Sequence, residues 1–213
     1  MTSKYITVWD PCVRMGHWTV VAAFTIAYFT GEDFLSTHVW AGYIVGGVVL
    51  ARIIWGFVGP RHARFSDFAY GPRAVLSYLF DMVRFRAWRY ISHSPAGGAM
   101  VIALLVSLSA TVITGLAVYG AEEQAGPLAP LYAAETGSSS TSVLRVSERS
   151  DEGGSKNDAS SMEELHEMFA NLTLVLVALH ICGVAFASIA HRENLISAMI
   201  NGRKRGPDMA APP

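Results

Sequence analysis

Apolar residues gather along the chain into four long stretches, which polar connections separate. A helix needs roughly 20 apolar residues to cross a bilayer, and each stretch approaches or exceeds that length. The pattern predicts an all-α integral membrane protein, a bundle of four transmembrane helices. Asp10 and Arg14 directly precede the first stretch and no small-x-small cleavage site follows it, so we predict a membrane helix there rather than a signal peptide. The predicted helices cover about 15–31, about 35–58, about 96–120 and about 168–190.

The two long connections differ in composition. Over about 72–86, apolar residues recur at helical spacing among arginines, which predicts a basic amphipathic helix on the inner leaflet. Over about 121–162, Ser, Gly and charged residues dominate, which predicts a flexible outer loop. Neither connection has the pattern of a second domain, so we interpret residues 1–213 as a single membrane domain.

The overall composition supports a membrane location and excludes some functions. Hydrophobic residues make up 52% of the chain and charged residues 15%, whereas a soluble domain has about 25% charged residues. A net charge of −1 argues against nucleic-acid binding. The two cysteines, Cys12 and Cys182, both fall toward the predicted inner side, where we expect free thiols rather than a disulfide.

Charged residues are distributed unevenly between the two sides of the predicted bundle. Thirteen of the 16 Lys and Arg residues fall on the side that carries both termini. Because cytoplasmic loops carry the excess of Lys and Arg, we predict cytoplasmic termini and a multi-pass protein of the bacterial inner membrane. The opposite side carries twelve acidic residues against three basic ones, densest between Glu148 and Glu167. Two interpretations remain open for this acidic side: a solvated loop, or a docking surface for a basic partner.

The chain has seven histidines, which are candidate metal ligands. Four of the seven lie in or at the ends of predicted spans: His17, His38, His166 and His180. An ionisable residue within a span is costly in lipid and suggests function, although a single one could be a packing contact between helices. His166 and His180 are 14 residues apart on one helix, about 21 Å along its axis and on nearly the same face. Depth then pairs His17 with His180 near the inner surface, and His38 with His166 near the outer surface.

Two facing imidazoles at each depth suit a haem better than a bare metal ion. A zinc site usually takes four ligands from the protein, whereas a haem supplies four nitrogens itself and needs only two axial ligands. The sequence therefore predicts two b-type haems, with one iron held by His17 and His180 and the other by His38 and His166.

Short motifs surround these histidines and reach from one end of the chain to the other. With them the sequence resembles the bacterial cytochrome b561 family, which includes the b-type cytochrome subunit of nickel–iron hydrogenases. The resemblance implies four helices, two b haems, cytoplasmic termini and electron transfer with the quinone pool. The matching residues are Val8-Trp9-Asp10-Pro11, Arg14, His17-Trp18, His38, Ala41-Gly42-Tyr43, Arg52, Trp55-Gly56-Phe57, Ala63-Arg64-Phe65, Glu164-Leu165-His166-Glu167, His180, His191-Arg192-Glu193-Asn194-Leu195, Met199-Ile200 and Gly202.

The resemblance also directs attention to residues beyond the four ligands. His93 stands where the family often has Gly-His-Asn-Pro, and here the stretch is Ser92-His93-Ser94-Pro95. His93 is either a contact of a haem propionate or quinone head group, or a solvated loop histidine. His62 and His191 lie among arginines, and we do not expect them to be ligands. The residues that we expect to neutralise the propionates of the inner haem are Arg14, Arg52, Arg64 and Arg192. The alternative is that these arginines only belong to the excess of basic residues on the cytoplasmic side.

The expected function is that of an electron carrier rather than a stand-alone enzyme. We expect a di-haem b-type cytochrome that transfers electrons between the quinone pool and a periplasmic redox partner, a c-type cytochrome, in a respiratory chain. Two alternatives remain open: a superoxide:quinone oxidoreductase, and the membrane anchor and electron-transfer subunit of a hydrogenase-like complex. An acidic outer side argues against the first, because superoxide is an anion.

Overall fold

The computed structural model describes residues 5–31, 33–60, 63–88, 90, 93–132 and 152–205. Helices dominate it, in agreement with the predicted all-α class, apart from two strands of three residues each. In chain order the elements are β1 (Tyr5–Thr7), α1 (Pro11–Thr30), α2 (Leu35–Val58), a 3-10 helix (Phe65–Asp67), α3 (Pro72–Val83), α4 (Pro95–Glu122), α5 (Glu152–Ala190), α6 (Leu195–Asn201) and β2 (Arg203–Arg205).

Within the part of the chain that the structure describes, three helices are long and apolar enough to cross a membrane. They are α2, α4 and the portion Ser160–Ala190 of α5. The predicted first span corresponds to α1, which is not among these three helices. The count of four spans therefore stays a prediction. Large apolar side chains of these helices, such as Phe57, Val106 and Ile189, are exposed. Helices that are apolar all round are typical of membrane spans.

The helix boundaries follow the predictions closely at α2 and α4, whereas α1 begins four residues earlier than predicted and α3 ends at Val83 instead of about residue 86. Observed α2 covers the predicted 35–58, and α4 extends the predicted 96–120 by one residue before it and two after it. Helix α5 begins at Glu152 rather than at about 168, so residues 152–162 of the predicted flexible loop are helical. Residues 133–151 of that loop lie outside the described residues, as does His62. Polar residues such as Glu163 and Glu164 are compatible with a helix. The start of α5 was not predicted because a polar segment has no apolar periodicity from which a helix could be recognised.

The chain divides into two compact units, residues 1–106 with 174–213, and residues 107–173. In the first unit, α1 and α2 are joined by a short turn and pack along each other. Their buried positions are small or branched, with Ala23 on α1 and Ala41 and Val45 on α2. A Cβ atom added to Gly16 would lie 3.3 Å from Val48. Small residues of this kind let two membrane helices approach closely.

The start of α1 is set by a polar cap. The Asp10 carboxylate accepts hydrogen bonds from the backbone N–H groups of Cys12 and Val13, at 2.8 and 3.3 Å. Pro11 occupies the first helical position, where its missing N–H costs no hydrogen bond. Helix α1 therefore begins before the apolar stretch itself, which explains the difference from the predicted start at about residue 15.

The two ends of the described chain meet beside this cap, within the first unit. Strand β1 pairs antiparallel with β2, with Ile6 opposite Lys204. The backbone N–H groups of Val8 and Trp9 both donate to the carbonyl of Gly202, which ends α6 with a positive φ of 78°. The C-terminal helix α6 is thereby attached to the segment that leads into α1.

In the second unit, hydroxyl groups join α4 to α5. Thr173 is fully buried, and its Oγ1 lies 2.7 Å from Ser107 Oγ and 3.3 Å from Thr111 Oγ1. Apolar packing gives membrane helices little preference for each other over lipid, so polar contacts of this kind help to specify which helix faces meet.

Candidate haem-binding residues

Two of the predicted ligands come together in the first unit. His17 lies on α1 and His180 on α5, and their ring centroids are 6.3 Å apart with an interplanar angle of 57°. Both side chains are half-buried. The Nδ1 atom of His17 is buried and has no hydrogen-bond partner among the described residues.

The spacing of these two rings fits a pair of imidazoles that would hold a single iron between them. At metal–nitrogen distances of about 2 Å, the centroids of two such rings would lie roughly 6 Å apart. Direct hydrogen bonding of the two rings to each other would instead bring one nitrogen of each to about 3 Å. The residues present at this position therefore fit a bis-histidine haem.

His38 is oriented by a backbone carbonyl of the neighbouring helix. It lies in the first turn of α2, and its Nδ1 atom is 2.9 Å from the carbonyl oxygen of Ala27 on α1. Because a carbonyl only accepts, Nδ1 is the donor in this contact, and in the neutral form of that tautomer Nε2 carries the lone pair. Metal-ligating histidines are typically held in this way, since the contact sets both the tautomer and the ring orientation.

His166 is oriented in the same way inside the second unit. Its Nδ1 atom lies 3.0 Å from the carbonyl oxygen of Thr111 and 3.3 Å from Thr114 Oγ1, both on α4. Nε2 of His166 therefore also keeps its lone pair. His38 and His166 belong to different compact units, so their pairing around one haem stays a prediction.

Gly115 provides the space for the His166 ring. A Cβ atom at this position would lie 2.8 Å from Cε1 and 3.1 Å from Nδ1 of that ring, closer than carbon atoms normally approach. The sequence prediction did not include Gly115, Thr111 or Thr114. The sequence did contain one indication of this contact, a glycine inside an apolar helix. Glycine lowers helix stability relative to alanine, so its presence there suggests that close packing requires it.

Two of the four predicted arginines have buried donors that find no partner among the described residues. Arg14 donates through Nη1 to the carbonyl of Ile200, while its Nε is buried and unpartnered among the described residues. Arg52 places its guanidinium 5.3 Å from the ring centroid of Phe65 and 5.9 Å from that of Phe68. Its Nη1 is likewise buried and, within the described chain, unpartnered. Such donors fit a carboxylate acceptor of the kind that a haem propionate provides.

The other two arginines lie in more open surroundings. Arg64 is exposed and donates through Nε to the carbonyl of Gly59 at 2.6 Å. Arg192 is exposed and follows the end of α5 with a positive φ of 49°. Neither has the buried unpartnered donor that distinguishes Arg14 and Arg52 in the described chain.

The remaining histidines have structural neighbours of their own. His93 packs between two aromatic rings, with centroid distances of 4.7 Å to Trp9 and 4.4 Å to Phe68. It is therefore not a solvated loop histidine. Nε2 of His191 lies 3.4 Å from the Tyr78 hydroxyl.

Among the described side chains, no three His, Cys, Asp or Glu residues come together as a metal-ion site. Cys12 and Cys182 are exposed free cysteines, in agreement with the prediction.

Comparisons with known proteins identify the family and agree with the resemblance that the sequence motifs indicated. The family model of prokaryotic cytochrome b561 matches residues 8–202. The chain is 25% identical to a probable Ni/Fe-hydrogenase B-type cytochrome subunit of Rhodobacter capsulatus, over 95% of this chain and 82% of that protein. Proteins with the same description from Azotobacter chroococcum mcd 1 and Azotobacter vinelandii are each 23% identical, over 92% of this chain and 87% of theirs. No solved structure shows a significant match. The chain therefore belongs to the prokaryotic cytochrome b561 family, a family of multi-pass b-type cytochromes whose cofactor is haem b.

Proposed function

We propose that this protein is a four-helix cytochrome of the bacterial inner membrane that carries electrons through two b haems. In this proposal, electrons pass between the quinone pool and a redox partner on the outer side, and both termini are cytoplasmic. The observation that carries the proposal is the pair His17 and His180, whose rings come from opposite ends of the chain to within 6.3 Å. Two half-buried imidazoles at that separation supply what one haem iron needs from a protein.

The residues around this pair have distinct tasks in the proposed inner site. His17 and His180 would hold the iron, while the buried donors of Arg14 and Arg52 would bind the propionates. Haem, when bound, supplies a one-electron iron couple. The two arginines add positive charge close to that couple, and the apolar helices exclude water from it, so both would adjust its potential.

The proposed outer site uses His38 and His166. Each ring donates Nδ1–H to a carbonyl of its own unit, so each presents Nε2 as the ligand atom. Two sites at two depths would let an electron cross the bilayer in steps.

The outer partner has two candidates. An acidic surface favours a basic soluble cytochrome, and within the described residues its exposed carboxylates include Glu163, Glu164 and Glu167, which flank His166 on α5. The descriptions of the three relatives favour a second function, that of an electron-transfer subunit in a hydrogenase-like complex. Co-purification from native membranes separates the two, because a subunit stays with its complex whereas a soluble cytochrome is lost in high salt.

Haem content and difference spectra test the proposal itself. The wild-type protein should contain two b haems per chain in a pyridine haemochrome assay. Replacing His17 or His180 with alanine should remove one and the same spectral component, and replacing His38 or His166 should remove the other. His191→Ala is the matched control and should keep both, because this ring contacts Tyr78 instead. One haem or none in the wild type, or a shared component for His17→Ala and His38→Ala, would contradict the proposal.

A further inference from the structure

A cavity of about 170 Å³ beside α3 has a lining that the haem sites do not use. Four aromatic side chains and one carboxylate contribute to its walls. Of the residues proposed above as haem ligands or propionate partners, none lines it. The side chains in question are Tyr70, Tyr78, Asp81, Trp88 and Tyr90.

Helix α3 has the amphipathic character of a helix that lies at a membrane surface. Tyr78 and Asp81 are three residues apart and so share one face of α3. A second face carries apolar side chains that are 43 to 73% exposed, namely Leu76, Leu79, Phe80 and Val83. An amphipathic helix with such a face lies in the interface with its apolar side chains among the acyl chains. The cavity on its other face is then level with lipid headgroups.

The aromatic walls of the cavity meet at steep angles. The Tyr90 ring lies 6.0 Å from the Tyr70 ring at an interplanar angle of 75°, and 5.6 Å from the Tyr78 ring at 77°. The Trp88 side chain is 75% exposed at the rim. Ring faces of Tyr and Trp attract cations through their quadrupoles, and several faces set at an angle form a cage for an organic ammonium group.

Asp81 adds a negative charge to this cage. Its side chain is half-buried, and its carboxylate makes no hydrogen bond or ion pair with any described residue. A carboxylate beside aromatic faces that has no cationic partner among the described residues favours a positively charged ligand.

We propose that this cavity binds the ammonium headgroup of an aminophospholipid from the leaflet in which α3 lies. Asp81 and the faces of Tyr70, Tyr78, Tyr90 and Trp88 would bind the ammonium. Arg84, an exposed arginine one turn from Asp81 at the end of α3, would face the lipid phosphate. The apolar face of α3 favours a lipid over a soluble amine, because the acyl chains of the same lipid can pack against it.

The tyrosine hydroxyls of this cage are uncharged at neutral pH, because a phenol has a pKa of about 10. Burial raises the pKa of the Tyr78 hydroxyl, and that of Tyr70, further above this value. These phenols therefore do not compete with Asp81 for the cation.

Lipid binding to the intact detergent-purified chain tests this proposal. Native mass spectrometry would count bound phosphatidylethanolamine and phosphatidylglycerol with identical acyl chains, each added in a titration. We expect phosphatidylethanolamine to bind about tenfold more tightly, and Asp81→Asn to remove that preference. Asp33→Asn is the matched control, because Asp33 is an exposed aspartate that does not line the cavity.

A second variant guards against an indirect effect of the first. Trp88→Leu changes an exposed side chain, so it should weaken phosphatidylethanolamine binding severalfold without affecting the fold. Wild-type lipid preference in both Asp81→Asn and Trp88→Leu would overturn the proposal. Binding of phosphatidylglycerol with the same affinity as phosphatidylethanolamine would overturn it too. Displacement of the lipid by free ethanolamine with the affinity of the lipid itself would also overturn it, because that result would indicate a site for a soluble amine.

Discussion

Replacing Gly115 with alanine tests whether the space beside His166 serves cofactor binding. The added methyl carbon would lie 2.8 Å from Cε1 of the ring. The ring cannot simply move away, because its Nδ1 is hydrogen-bonded to the Thr111 carbonyl at 3.0 Å. Either the ring leaves that carbonyl or α4 and α5 separate locally, and both changes alter the direction of Nε2.

Two opposing contributions set the effect of this substitution on stability. Alanine is favoured over glycine in a helix interior by about 1 kcal/mol. Overpacking a close contact costs roughly 1–3 kcal/mol. The two largely cancel, so we expect a loss of at most about 2 kcal/mol in the free energy of unfolding. Disturbing the groups that orient a metal ligand typically lowers affinity by about 10- to 100-fold, so the larger effect should be on the outer haem.

Haem titration of the purified variant provides the measurement. Gly115→Ala should bind one haem as the wild type does and the second about 10- to 100-fold more weakly. Gly47→Ala is the matched control, because a Cβ atom added to this helical glycine meets nothing within 4 Å. It should keep both haems and gain slightly in stability. If Gly115→Ala bound both haems with wild-type affinity and spectrum, the proposed role of this contact would be refuted.

Two further predictions concern charge. Arg52→Gln should lower the midpoint potential of the inner haem in a redox titration, because a positive charge with a buried donor favours the reduced iron. Arg64→Gln is the control, since Arg64 is exposed, and it should leave that potential nearly unchanged. The rate of electron transfer to a basic soluble cytochrome should fall steeply with salt, since the Debye length drops from about 10 Å at 0.1 M to about 3 Å at 1 M. Replacing Glu163, Glu164 and Glu167 by glutamine in one triple variant should slow this reaction and flatten its salt dependence in stopped-flow experiments. A wild-type rate that does not change with salt would show that the acidic side is only a solvated loop.

The sequence by itself determined the features that depend on local composition and on position along a helix. Hydropathy predicted α2 at the residues where it is observed, since the length of an apolar stretch needs no tertiary information. Counting depth along the predicted helices brought His17 and His180 to the same level, and the structure places their rings 6.3 Å apart. Motifs spread over the chain identified the family that the comparisons then established.

Only the tertiary structure decided which side chains meet across helices. The contact of His166 with Gly115, the position of Arg52 over the Phe65 ring and that of His93 between two rings each join residues of different segments. Periodicity in one helix indicates which face is apolar, but it does not indicate which residue of another helix lies opposite. In a membrane this limit is sharper, because lipid is as apolar as the partner helix and the hydrophobic pattern no longer distinguishes the two. Close approach at glycines and single polar contacts then decide the packing, and they become visible only once both helices are in place.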